Sequence, residues 1–98
     1  MTKEEVKELI NRRRRQVLVH SFLYYRLDTS IISDHVYDQW SKELAELQEK
    51  FPEEAKECVF HDDFKDFDGS SGFDLPLGDP WVHNSAMRVL RIHKNKKQ

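Results

Sequence analysis

Two stretches of the chain carry a helical period, and a third resumes it near the C-terminus. From Val6 onward, apolar or half-apolar positions recur at Leu9, Ile10, Val17, His20, Tyr24 and Leu27. Spacings of three and four put them on one face of a helix reaching about residue 27. Thr2-Lys3-Glu4-Glu5 before it is a capping box, in which hydroxyl and carboxylate each satisfy an orphan amide. Val19, Phe22 and Leu23 make the second half of this helix apolar nearly all round, so it must be covered on more than one side. A second helix is predicted over Asp34 to Lys50, with Ser33 as its N-cap. Its stripe is Val36, Trp40, Leu44, Leu47 and Phe51, expected to face helix one in an antiparallel hairpin. That reading makes Trp40 a core residue. Pro52 ends this helix or opens a short one over roughly 53–59.

Beyond Phe60 the period is lost. Residues 60–79 hold the chain's three glycines, several aspartates and Phe64, Phe67 and Phe73, which predicts a long acidic loop folded back by its aromatics. Asp79-Pro80 is an N-cap with proline at the first helical position, opening a last helix over 80–94. Val82, Ala86, Val89 and Leu90 supply its apolar side, with Ile92 at the edge, and it is the element expected to cover helix one. Residues 95–98 form a basic tail expected to fray. The fold class is all-α. Ninety-eight residues suit one small domain, 1–98, with a single modest core.

Charge changes the picture in one respect. The net formal charge is −2, so no global field points to nucleic acid or to a membrane. Its distribution is uneven: residues 1–27 carry seven basic and three acidic groups, 28–79 four and fifteen, 80–98 five and none. An acidic middle lies between basic ends. Arg12 to Arg15 point all round their helix, so they read as a solvated segment facing the acidic block rather than as one phosphate-binding patch. The lone Cys58 excludes an internal disulfide, and no signal or spanning segment is visible, so the expectation is a cytoplasmic protein.

Candidate chemistry collects at the junction of the first two helices. Asp34, Tyr37 and Asp38 are spaced i, i+3, i+4, which places them on one face near the start of helix two, with both aspartates off the packing stripe. Tyr24 and Tyr25 end helix one opposite them. Tyrosine rings offer flat apolar faces, and carboxylates accept hydrogen bonds from hydroxyls or amides. Arg26 is the nearest candidate for a ligand phosphate.

The run Tyr24-Tyr25-x-x-Asp28, then Ile32-Ser33-Asp34-x-x-Tyr37-Asp38, then a charged helix ending Lys50-Phe51-Pro52-Glu53, resembles the N-terminal Ia subdomain of NAD-dependent bacterial DNA ligases. In that family the subdomain is a helical hairpin gripping the nicotinamide mononucleotide (NMN) half of NAD. The resemblance covers roughly residues 5–55. It implies that Tyr24, Tyr25, Asp34, Tyr37 and Asp38 are the gripping residues, and that residues 2–59 are the ligase-like region. Many members carry histidine at the position of Tyr25. The ligase's lysine-x-aspartate-glycine nucleophile motif is not found after it, since Lys65-Asp66-Phe67-Asp68-Gly69 has one residue too many.

Other patterns are weaker. Asp66-Phe67-Asp68-Gly69-Ser70 lacks the acids a calcium loop needs at Phe64 and Leu75, and no buried strand precedes it as a phosphatase nucleophile loop requires. Cys58-x-x-His61 has no second closely spaced pair to complete a zinc site, so no metal is expected. No catalytic set stands out. The expectation is a small, stand-alone, non-catalytic ligase-related protein of phage or prophage type, recognising NMN, NAD or a related nucleotide through the Tyr24–Asp38 corner. The alternatives are an interaction or inhibitory module whose acidic face docks a basic protein, or one half of a split ligase. Direct nucleic-acid binding is not the main role expected, and no membrane is involved.

Overall fold

The computed structural model describes residues 1–69 and 75–96. Among them are five helices and no strand: α1 (Lys3–Leu27), α2 (Asp34–Lys50), α3 (Pro52–Lys56), α4 (His61–Phe64) and α5 (Pro80–Lys96). The fold is all-α. No helix among the described residues is long and apolar enough to cross a membrane.

Local signals set most helix ends. The Thr2 hydroxyl accepts from the Glu5 amide at 3.1 Å, while the Thr2 amide donates to the Glu5 carboxylate at 3.2 Å. The chain leaves α1 through Asp28 in the left-handed region (φ 49°), whose amide returns to the Leu23 carbonyl. The Ser33 hydroxyl accepts from the Val36 amide to start α2, and the Asp79 carboxylate accepts from the Trp81 amide to start α5. Helix α5 takes in Asn95 and Lys96, two residues beyond its expected end.

Contacts between α1 and α2 run in opposite order along the two helices. Arg13 meets Glu43, Arg14 meets Gln48, His20 meets Trp40 and Ser21 meets Tyr37, so the hairpin is antiparallel. The face of α2 differs from its apolar stripe. Leu44 is fully buried, but so is Ser41, whereas Trp40, Leu47 and Phe51 are half-buried and Val36 makes no part of the core. The inward line is Tyr37-Ser41-Leu44-Gln48, at i, i+4, i+7, i+11. Two of its members are polar, so hydropathy alone drew the stripe to one side. The α2 backbone at Ser41 is closely approached by the segment that follows α4. Gly69, at φ 86°, sits so close that an added Cβ would lie 3.0 Å from the Ser41 carbonyl oxygen.

Three corrections concern α1 and the segment after α3. Tyr24 and Leu27, placed on the packing face by their period, are exposed. Arg14, read as one of four solvated arginines, is 0% exposed. Its Nε donates to Gln48 Oε1 at 2.9 Å and its Nη1 to the carbonyls of Ala55 (3.1 Å) and Val59 (2.9 Å), with the guanidinium 5.7 Å from the Phe64 ring centre. Gln48 in turn donates to the Phe64 carbonyl at 2.9 Å. One side chain thus ties α1 to α2, α3 and α4. The residues expected to form a long acidic loop over 60–79 contain the short helix α4, while the aromatics fold back onto the helices as expected: Phe64 is 0% exposed, Phe67 meets it edge-on at 5.3 Å, and Leu75 and Leu77 are buried. Phe73 lies outside the described residues.

The second half of α1 is covered by α5, as its all-round apolar character requires. Val82 and Ala86 are fully buried, Val89 and Leu90 pack at the margin, and His83 meets Phe22 edge-on at 5.5 Å. Arg13 and Lys7 pair with Glu43 (3.4 Å) and Glu57 (3.0 Å), so part of the acidic middle does face the basic helix.

Candidate functional site

Where α1 ends, the loop 28–32 turns and α2 begins, the surface closes into a cavity of about 270 Å³. All five residues singled out in the sequence line it: Tyr24, Tyr25, Asp34, Tyr37 and Asp38. Tyr24 is 54% exposed because it serves the cavity rim and not the core. The Tyr24 and Tyr25 rings stand perpendicular, centres 5.0 Å apart, instead of stacking on each other. A flat ligand ring can therefore lie on one face and meet the other ring edge-on.

Tyr37 is fixed from behind. Its hydroxyl and that of Ser21 lie 2.7 Å apart in a hydrogen bond, and the ring packs against the core. Burial pushes its phenol above the usual range, and the Ser21 bond opposes this. Asp34 and Asp38 are exposed at the mouth, leaving their oxygens open to ribose hydroxyls or an amide.

The sequence reading missed part of the lining. His20, Thr29, Ser30, Ile31 and Ile32 complete it. His20 stands four residues before Tyr24, one turn back on the same side, which is the signal that could have found it; its period marked it as packing instead. The loop residues have no period to read. Thr29 and Ser30 hold the loop by donating to the carbonyls of Leu27 (3.0 Å) and Ile32 (2.8 Å), and their hydroxyl oxygens remain able to accept. Arg26 does not line the cavity. Two residues past Tyr24 is about 200° around the helix, so it points elsewhere. Among the described residues no lysine or arginine lines it.

The family model for "DNA ligase-like, N-terminal NAD+-binding domain" matches residues 3–57. The chain belongs to that family. The match runs from α1 through α3 and contains the whole cavity, whereas α4 and α5 lie beyond it. The DNA ligase of Coprothermobacter proteolyticus is 45% identical over 53 residues, which is 54% of this chain and 8% of that protein. That of Thermoanaerobacter sp. is 47% identical over 51 residues, 52% of this chain and 7% of that protein. That of Fervidobacterium nodosum is 40% identical over 53 residues, again 8% of its length. This chain therefore spans less than a tenth of the curated relatives it matches. No solved structure matches it.

Burial draws the His20 imidazole below its ordinary 6.5, beside the Trp40 ring at 5.5 Å. A histidine depressed in the folded state contributes stability that is intact above its unfolded pKa and is lost as pH falls through and below it. Wild type should therefore lose stability relative to His20→Gln as the pH falls below about 6.5, while the unfolding midpoint of the variant should take a flatter course. Urea melts of both proteins across that range test this; parallel curves would remove His20 as a buried neutral group. Among the described residues no cluster of His, Cys, Asp and Glu could hold a metal ion. Cys58 is buried, with its thiol pushed up by that burial.

Proposed function

We propose that the corner recognises NMN, or the NMN half of NAD, and that the chain by itself binds without catalysing. One observation carries this: the five aromatic and acidic residues converge on a single cavity whose lining, among the described residues, contains two carboxylates and no lysine or arginine. That lining suits the positively charged, planar nicotinamide ring, drawn to tyrosine faces and to anionic charge together. The ribose hydroxyls would meet Asp34 and Asp38, and the phosphate would project to solvent. NAD-binding in the family supports the same ligand class. The non-catalytic part rests on the absence from the sequence of the ligase nucleophile motif.

An interaction or inhibitory role is the second reading. Asp62, Asp63 and Asp66 favour it, being exposed and without ion pairs among the described residues, as a basic partner would need. A split ligase would require a second chain bearing the lysine nucleophile.

Titration with NMN, monitored by amide NMR, tests the corner. Tyr24, Tyr25, Asp34, Tyr37 and Asp38 should shift together, with binding in the micromolar to millimolar range, about −4 to −8 kcal/mol. Asp38→Ala should weaken binding at least about tenfold while leaving stability within about 0.5 kcal/mol, since Asp38 is exposed. Adenosine monophosphate should not compete. If millimolar NMN leaves those five amides unmoved, the ligand reading falls. Mass spectrometry after incubation with NAD should find no adenylate adduct, and an adduct on any lysine would refute a purely binding role.

A further inference from the structure

Arg14 carries a full charge in the interior. Its guanidinium is 0% exposed, and among the described residues no carboxylate pairs with it. The carbonyls of Ala55 and Val59 and the amide oxygen of Gln48 satisfy it as a donor without neutralising it. Buried charges are ordinarily paired, because a partial dipole recovers only part of the lost hydration.

Beside it lies another cavity, of about 300 Å³, farther along the hairpin from the corner. Arg14 and Gln48 form its inner wall, and Lys56, His61 and Lys65 surround them. Among the described residues no carboxylate is in the lining, although this part of the chain is its most acidic. Lys56 and Lys65 are two of only four lysines or arginines between residues 28 and 79, and both face this one spot. The contact of Lys56 with Glu53 is an exposed pair at 3.5 Å, readily exchanged for a stronger anion. A further, independent sign is His61: its Nδ1 is enclosed yet has no hydrogen-bond partner among the described residues. An enclosed polar atom left unpaired calls for an ion or a water.

We infer that this cavity is an anion site for a phosphate group, held by Lys56, Lys65 and His61 over the buried Arg14. The phosphate's oxygens accept charge-assisted hydrogen bonds from the two ammonium groups and the imidazole, and its negative charge balances the guanidinium behind them. Arg14 precedes Tyr24 by ten residues, about 15 Å along α1, so one NMN molecule cannot occupy both cavities. The site stands independently of the corner reading.

The test is an amide and side-chain NMR titration of the whole chain with inorganic phosphate, with sodium chloride at matched ionic strength as control. Phosphate should give saturable shifts at Lys56, His61, Lys65 and the Arg14 Nε–H, while Tyr24 and Asp38 stay unmoved. Lys56→Gln with Lys65→Gln should raise the apparent Kd at least about tenfold, from loss of two charge-assisted contacts. Both lysines are exposed, so the double variant should melt as wild type does without phosphate. Adenosine monophosphate separates the sources. Saturation at lower concentration than phosphate, through the same residues, marks a nucleotide phosphate; saturation at equal concentration marks free phosphate. Shifts that match those in chloride, that fail to saturate, or that persist unchanged in the double variant would overturn the site. Because the readout residues differ from those of the corner, loss of one site leaves the test of the other intact.

Discussion

Replacing Arg14 by methionine should destabilise the fold by about 3–5 kcal/mol, even though it puts an apolar side chain in a buried place. The Val59 carbonyl and the Gln48 amide oxygen would each lose their Arg14 donor, at ~1–3 kcal/mol apiece, and the Ala55 carbonyl would keep only its backbone donor, the Cys58 amide. Arg14→Lys keeps the charge but not the planar fork, and should recover only part of the loss. Urea unfolding of the two variants measures this. A double-mutant cycle with Gln48→Leu should show coupling of about 0.5–3 kcal/mol, because Gln48 passes the network on to the Phe64 carbonyl. A loss under about 1 kcal/mol for Arg14→Met would mean that the carbonyls find water, and the junction of four helices would need another explanation.

Phe64→Ala should cost about as much, 3–5 kcal/mol, the range for a large aromatic removed from a packed core. Phe64 is fully buried, with Phe67 against its edge and the Arg14 guanidinium over its ring. In a domain of this size such a loss lowers the melting temperature by on the order of 15 °C or more. Trp40→Ala, which the hydropathy of α2 would rank first, should do less, since Trp40 is half-buried against His20 and Arg13. Thermal melts that rank Trp40 above Phe64 would contradict the packing described for α4.

Both variants probe the side of the molecule that lies partly beyond the ligase-like match. The hairpin within residues 3–57 builds the corner cavity, but α1 has more apolar surface than α2 and α3 can cover. Helix α5 and the Phe64 segment close the remainder, so the part outside the family region is structurally required by the part inside it.

The elements whose signals are local were legible in the chain itself. The Thr2–Glu5 capping box, the Ser33 and Asp79 caps and Pro80 act through backbone groups two or three residues away. Asp34, Tyr37 and Asp38 were legible as a group, because spacings of three and four place side chains on one helical face whatever the helix packs against, whereas Tyr24 and Tyr25 joined them through the resemblance to the ligase family. Other features depend on partners far along the sequence. Arg14 reads as solvent-exposed until the carbonyls 41 and 45 residues later are brought to it. Gly69 reads as a turn residue until the α2 backbone is set against it. Periodicity says which residues of a helix lie together and cannot say which neighbour will supply a buried donor with acceptors. That pairing depends on tertiary approach, and here it decided that Arg14 belongs to the core while Tyr24, on the predicted packing face, stays exposed at the rim of the corner cavity.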